Sequence, residues 1–72
     1  MSEIPLAAVL RLIKKADPSF RVSEDAGKEL REWLEGISKE VSLNARDFAG
    51  HANRKTINAL DVRLALKDKK LR

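Results

Sequence analysis

The chain has 72 residues, of which 36 % are charged, with no cysteine, three glycines and two prolines. The missing cysteines exclude a disulfide framework and a Cys/His metal centre, and no apolar run is long enough to span a membrane or to act as a secretory signal. The composition and the net charge of +4 therefore predict a single α-helical domain over residues 1–72, located inside the cell and suited to a polyanionic partner.

The first predicted element is a short helix over residues 5–16. Apolar residues recur there at spacings of three and four and form one face, which consists of Leu6, Val9, Leu10, Ile13 and Ala16. Pro5 suits the first turn because it has no N–H to leave unsatisfied, and the Asp17-Pro18 step ends the helix. A solvated basic face, the ordinary role of such residues in an arbitrary protein, is formed by Arg11, Lys14 and Lys15.

The second predicted element is a long helix over residues 23–52. Its apolar stripe continues without a proline through Ala26, Leu30, Trp33, Leu34, Ile37, Val41, Ala45, Phe48, Ala49 and Ala52. Ser23 is a good N-cap, and Asn53 tolerates the left-handed conformation with which many helices end. Gly36 and Gly50 weaken the helix interior by roughly 1 kcal/mol each relative to alanine, so we expect packing to hold the helix and these glycines to mark close helix contacts.

The length of this helix predicts a dimer. A helix of about thirty residues is roughly 45 Å long, whereas a compact globule of this chain length has a diameter of roughly 30 Å. A single chain would therefore leave part of the apolar stripe in water, and a second chain is the simplest cover. The predicted dimer core consists of Leu30, Trp33, Leu34, Ile37 and Val41.

The third predicted element is a short helix over residues 59–68. Asn58 is a suitable N-cap, and Asp61 at the third helical position can reach back as its capping partner. Apolar contacts are expected from Val62, Leu64, Ala65 and Leu66. The turn before this helix is basic and reads Arg54-Lys55-Thr56.

Nothing in the sequence has the spacing of an enzyme site. The single histidine, the serines and the acidic residues do not match a catalytic triad, a metal-ligand cluster or a glycine loop that cradles phosphate. We therefore predict no catalytic residue, no metal and no cofactor.

Several motifs, in order along the chain, resemble those of an archaeal histone. They are Ile4-Pro5-Leu6-Ala7, Arg11-Leu12-Ile13-Lys14, Arg21-Val22-Ser23, His51-Ala52-Asn53-Arg54-Lys55-Thr56-Ile57 and Asp61. The resemblance covers nearly the whole chain, and it is specific because the basic turn is combined with the Arg-Val-Ser start and the proline-led first helix. It implies the all-α histone fold of a short, a long and a short helix, in which two chains form an intertwined head-to-tail dimer.

The resemblance implies that the first helix and the first loop contact DNA. Arg11 and Lys14 would bind phosphate from the first helix, with Lys15 as a further candidate. Arg21 in the first loop would reach a narrowed minor groove that faces the protein.

The resemblance assigns two roles to the second loop, which lies beside the first loop of the partner chain in such dimers. Lys55 and Thr56 would hold phosphate, and Arg54 stands in the same DNA-contacting loop. In the family, however, the arginine at this position pairs with the acid seven residues later and braces the loop. Here that pair is Arg54 with Asp61.

A further surface joins one dimer to the next in the family, through a four-helix bundle. The matching residues are Phe48, His51, Asp61 and Leu64. In an arbitrary protein, the histidine would be a partly buried polar residue and the two apolar residues would belong to the core. The chain departs from the family pattern in its first loop, residues 17–20, which is one residue longer than usual and lacks a glycine.

Together these inferences predict a histone that binds duplex DNA with little sequence preference and wraps it in a nucleosome-like manner. Such a protein would compact the chromosome in the cytoplasm. The expected partners are double-stranded DNA, a second copy of the chain, further dimers on DNA and histone paralogues, with no membrane contact. The alternative is a histone-fold interaction subunit of a transcription or other chromatin complex, which exposed Phe48 and Leu60 would favour.

Overall fold

The computed structural model describes residues 2–68 and contains three helices in that range. Helix α1 spans Leu6–Ala16, α2 spans Glu24–His51 and α3 spans Ala59–Asp68. The predicted order of a short, a long and a short helix is therefore confirmed, and the observed bounds lie within one residue of the expected ones. The chain divides inside α2, between Gly36 and Ile37, into two compact units. No helix within residues 2–68 is both long and apolar enough to cross a membrane.

In the first unit, α1 begins directly after a proline. Pro5 has an extended backbone (ψ 132°), and its carbonyl oxygen accepts hydrogen bonds from Ala8 N at 3.1 Å and Val9 N at 3.3 Å. The expectation that Pro5 lies within the first turn is thus one residue early. Its fixed φ of −62° still favours this start, because a proline at the entry leaves no N–H unsatisfied.

Helix α1 packs closely on the start of α2 at a glycine. A Cβ atom placed on Gly27 would lie 2.5 Å from Leu10 Cδ2 and 3.1 Å from Leu6 Cδ1, so any larger residue would require the Leu10 side chain to shift. A Cβ on Gly36 or Gly50 would meet nothing within 4 Å in the described chain. The expected close contacts at those two glycines are therefore absent here, and Gly27 provides the close approach instead.

The loop between α1 and α2 is held by short-range hydrogen bonds. Ser19 N and Ser19 Oγ donate to Asp17 Oδ1 at 3.0 and 2.6 Å, and Phe20 N donates to the Asp17 carbonyl at 3.2 Å. These bonds from Ser19 lower the pKa of Asp17 below its ordinary value. Lys14 Nζ donates to the Phe20 carbonyl at 2.7 Å and so ties the last turn of α1 to the loop.

Helix α2 has the start that the sequence predicts. Ser23 Oγ accepts a hydrogen bond from Ala26 N at 3.1 Å, and the Ser23 carbonyl accepts one from Gly27 N at 3.3 Å. Glu24 and Asp25 occupy the first turn, where negative charge is stabilised by the positive end of the helix dipole.

Helix α2 ends in a Schellman motif, which reverses the chain just before Arg54. Asn53 has a positive φ of 61°, as its tolerance of left-handed backbone predicts. Asn53 N donates to the Gly50 carbonyl and Arg54 N donates to the Ala49 carbonyl, both at 2.9 Å. This pairing satisfies carbonyls in the last turn before His51 and reverses the chain, so that Arg54 immediately follows the left-handed residue.

The second unit has a small apolar core where α3 packs on α2. Its buried members are Val41, Ala45 and Ala65, and the partly buried Ile37 and Phe48 pack against them. Many large apolar side chains of the described chain remain exposed to water. The largest exposed apolar residues are Leu12, Phe20, Trp33, Leu43, Ile57, Leu60, Val62, Leu64 and Leu66.

The expected dimer core is only partly covered in the single chain. Leu30, Leu34 and Ile37 are half-buried, Val41 is buried, and Trp33 has 50 % of its surface exposed. Fully burying a side chain of this size contributes roughly 1.5–3 kcal/mol relative to leaving it in water. A partner that covers this stripe would therefore stabilise the fold.

Candidate nucleic-acid interface

A basic groove lies in the first unit, where the periodicity of α1 places its cations together. Positions 11, 14 and 15 are three and four residues apart and share one helix face. The groove is lined by Leu10, Arg11, Lys14, Arg21 and Val22, and an adjoining one is lined by Arg11, Lys14, Lys15 and Pro18. The structure thus brings together four of the seven residues predicted to contact DNA.

The cations of this groove differ in their freedom to bind an anion. Arg11, Lys15 and Arg21 are exposed and form no ion pair within residues 2–68. Lys14 is also exposed, but one of its three ammonium donors is engaged by the Phe20 carbonyl. Lys14 is therefore held in place, and two donors remain for a phosphate.

In the second unit, a bidentate ion pair braces the loop between α2 and α3. Arg54 Nη1 donates to Asp61 Oδ2 and Arg54 Nη2 donates to Asp61 Oδ1, both at 2.8 Å. Arg54 Nη1 also donates to the Thr56 carbonyl at 3.0 Å. The guanidinium therefore joins the middle of the loop to the first turn of α3. The pair expected between Arg54 and Asp61 is present, and most Arg54 donors are used within the chain.

Asp61 is buried, so its carboxylate depends on the donors that this brace supplies. Its relative exposure is only 1 %, and a carboxylate out of contact with water needs donors for its oxygens. The Arg54 guanidinium and the Asn58 backbone N–H, which donates to Oδ2 at 2.9 Å, supply them. These bonds lower the pKa of Asp61 to about 2 and raise the pKa of Arg54.

The braced loop presents its remaining polar residues to solvent. Lys55 and Thr56 are exposed, and Lys55 forms no ion pair with any residue in the range 2–68. A loop of fixed shape with a free ammonium beside a hydroxyl matches the chemistry of phosphate binding. Arg54 contributes by holding the loop, since its own charge is matched by Asp61.

The residues expected at a dimer–dimer surface separate into two environments. Phe48 and His51 line one groove, together with Asn44, Asp47 and Asp68, and Leu64 is exposed on α3. Asp61 is not among the lining residues, because its carboxylate is buried against Arg54. For Asp61 to accept a hydrogen bond from a neighbouring dimer, the second loop would have to shift.

Sequence reasoning identified Asn58 only as a helix cap and did not assign it to the loop brace. Its spacing could have suggested more, since Asn58 stands four residues after Arg54 and three before Asp61. Gly27 was likewise missed, because nothing local distinguishes it from the other two glycines. Its role becomes visible only where Leu10 packs on it.

The short–long–short helix order, the braced second loop and the exposed cations define a class of protein, the histone-fold proteins that bind DNA. The chain matches the family described as histone-like transcription factor (CBF/NF-Y) and archaeal histone over residues 2–66. It is 55 % identical to one of the subunits of archaeal histone HAN1 from Thermococcus zilligii over 67 residues, which cover 93 % of this chain and 98 % of the relative. It is 46 % identical to probable archaeal histone 3 of Methanocaldococcus jannaschii, with the same coverage.

The chain therefore belongs to the family of histone-like transcription factors and archaeal histones. This membership makes it a structural DNA-binding protein with the histone fold, and not an enzyme.

Proposed function

We propose that the chain acts as a homodimeric histone that binds duplex DNA with little sequence preference, bends it and compacts the chromosome. The observation that carries this proposal is the second loop, where a partly buried ion pair fixes the backbone while Lys55 beside it stays exposed and unpaired within residues 2–68. Such a loop loses little conformational entropy when it binds a phosphate, because its shape is already set.

The proposed dimer is intertwined and head to tail, and it completes the single domain of residues 1–72. The half-exposed Trp33 and the partly covered residues around it would be buried between the two long helices. Since the partner supplies most of the missing apolar cover, a related chain with a similar stripe could replace it. Heterodimers with histone paralogues are therefore part of the proposal.

DNA contact is proposed at two kinds of surface. On α1 and the first loop, Arg11, Lys14 and Lys15 would neutralise phosphates, and Arg21 would enter the minor groove. In the second loop, Lys55 and Thr56 would hold phosphate, while Arg54 keeps the loop in place. Because these contacts address the DNA backbone and its bendability, sequence preference would follow flexibility of the duplex rather than base identity.

Association of dimers on DNA is proposed through the groove that Phe48 and His51 line and through Leu64 on α3. The buried Asp61 would stabilise this surface indirectly, by pairing with Arg54. Its direct contact with a second dimer is the least favoured part of the arrangement, because the carboxylate is buried and already accepts three hydrogen bonds within the chain.

Nuclease digestion of plasmid DNA reconstituted with the pure protein tests this function. A regular ladder of protected fragments is expected if dimers add along DNA, and one short protected length is expected if assembly stops at a dimer or tetramer. Either pattern supports a DNA-wrapping protein. Absence of protection, together with a chain that dimerises only with an unlike partner, would instead indicate an interaction subunit. The two archaeal histone relatives do not favour that alternative.

A further inference from the structure

The brace of the second loop has a third polar member, Asn58. Its backbone N–H donates to Asp61 Oδ2 at 2.9 Å, which closes the short segment between the basic turn and α3. Its carbonyl oxygen accepts from Val62 N at 3.3 Å and so begins the helix. The main chain of Asn58 therefore begins the helix whichever way its side-chain amide is oriented.

The side-chain amide of Asn58 can be placed in two orientations. In one, Oδ1 accepts from Asp61 N at 3.4 Å, which is long for a hydrogen bond. In the other, Nδ2 donates to Asp61 Oδ2 at 3.0 Å and Oδ1 accepts from Arg54 Nη1 at 2.9 Å. The two hydrogens of Nη1 are then shared among three acceptors, which are Asn58 Oδ1, Asp61 Oδ2 and the Thr56 carbonyl. The second orientation presents a donor to the carboxylate and an acceptor to the guanidinium, so the hydrogen-bond network selects it.

We infer that Asn58 is a positioning residue for DNA binding: its amide bridges Arg54 and Asp61 and thereby fixes the loop that presents Lys55. This inference rests on the proposed function, since it concerns how the same loop is held for phosphate. Asn58 is not proposed to touch DNA itself.

The chemistry of an amide suits this position better than that of other capping residues. An amide carries a donor and an acceptor on separate atoms, so it can satisfy the guanidinium and the carboxylate simultaneously. A serine hydroxyl caps a helix well but is too short to span both groups. An aspartate also caps well, but it has no donor when ionised and would place a second negative charge about 3 Å from Asp61.

The loop geometry connects this bridge to Lys55. Arg54 Nη1 also donates to the Thr56 carbonyl. Lys55 therefore lies between Arg54 and Thr56, two residues that this hydrogen bond joins. If the amide is removed, Arg54 retains Asp61 but loses one of the acceptors that orient its plane. The loop then samples more conformations before it binds, and this entropy opposes binding.

The decisive experiment compares DNA binding and the acidity of Asp61 in the full-length wild type and in N58S. We expect N58S to bind DNA about fivefold more weakly, the factor for about one net hydrogen bond, with an unchanged dependence on salt because no cation is lost. Carbon-detected NMR titration is expected to show a higher Asp61 pKa in N58S. The free energy of unfolding near neutral pH is expected to fall in step with that rise in the Asp61 pKa, while the helix start is retained because serine is a good N-cap.

A second variant, N58T, keeps the test decisive if N58S does not fold. It retains a capping hydroxyl, so folding is expected, while it lacks the amide that spans Arg54 and Asp61, so the Asp61 pKa is again expected to rise. If N58S binds DNA as tightly as the wild type, or if the Asp61 pKa changes in neither variant, Asn58 acts only as a helix cap. K55Q separates this failure from that of the proposed function. If K55Q binds DNA as well as the wild type, the loop is not a DNA contact at all.

Discussion

The salt dependence of DNA binding tests most directly whether exposed cations of this chain contact phosphates. Each phosphate contact with duplex DNA steepens the plot of log K against log salt by about 0.9. Five exposed cations per chain form no ion pair within residues 2–68 and belong to the proposed contacts: Arg11, Arg21, Lys55, Lys14 and Lys15. Six contacts per dimer, from Arg11, Arg21 and Lys55, give a slope of about −5, and participation of Lys14 and Lys15 would steepen it to about −9.

Replacing Lys55 by glutamine removes two of these contacts from a dimer without changing the size of the side chain much. The slope is then expected to flatten by about 1.8, which corresponds to an affinity loss of about 60-fold at about 0.1 M salt and about ninefold at about 0.3 M. The two binding lines should converge near about 1 M salt, where counterion release contributes nothing.

The assay is fluorescence anisotropy of labelled duplex DNA, titrated with protein at several salt concentrations. The matched control is K39Q, which removes another exposed lysine from the middle of α2, outside the proposed contacts. Its line is expected to overlie that of the wild type. If K55Q shifts the line without changing its slope, or if K39Q flattens it equally, the reasoning from specific phosphate contacts is wrong.

Three further predictions concern the fold. Because the pKa of Asp61 is lowered to about 2, the brace contributes its full stability above the ordinary carboxyl pKa and loses it as pH falls through about 2. Urea unfolding between these two pH values should show the stability of the wild type falling with pH, with a flatter profile in D61N. Parallel profiles of the two proteins would contradict the pairing. Asn53 has left-handed backbone, so thermal unfolding should show N53G at or above wild-type stability and N53V destabilised by about 1–2 kcal/mol, whereas equal stability of both variants would exclude strain at this position. A Cβ at Gly27 meets Leu10 but one at Gly36 meets nothing, so G27A should lose about 1 kcal/mol and G36A should gain about 0.5–1 kcal/mol; a gain in both would show that Leu10 moves aside freely.

The helix bounds were predictable from the sequence because local groups determine them. Ser23 caps α2 through a bond to a residue three positions away, and Asn53 ends it through its own backbone conformation. The periodicity of apolar residues determines which stripe is apolar over any length of helix. The helix order and the approximate bounds therefore follow without knowledge of the packing.

The site was predictable only where its members lie close in the sequence or match a family motif. The Arg54–Asp61 pair spans seven residues and was expected from the resemblance to archaeal histones. Arg21 and Lys14 line the same groove because of the path of the first loop. No residue pattern in the sequence predicts that path.

Other contacts depend on where a side chain lies relative to a distant or differently oriented group, and only the packed fold fixes them. Gly27 differs from Gly36 because Leu10 approaches one and not the other. The Asn58 amide acquires its second role because the guanidinium of Arg54 lies within 2.9 Å of it. Helix periodicity and helix caps depend on hydrogen bonds and steric limits between residues close in the sequence, so they can be predicted from it. The contacts of Gly27 and Asn58 arise only once packing has fixed where each side chain lies.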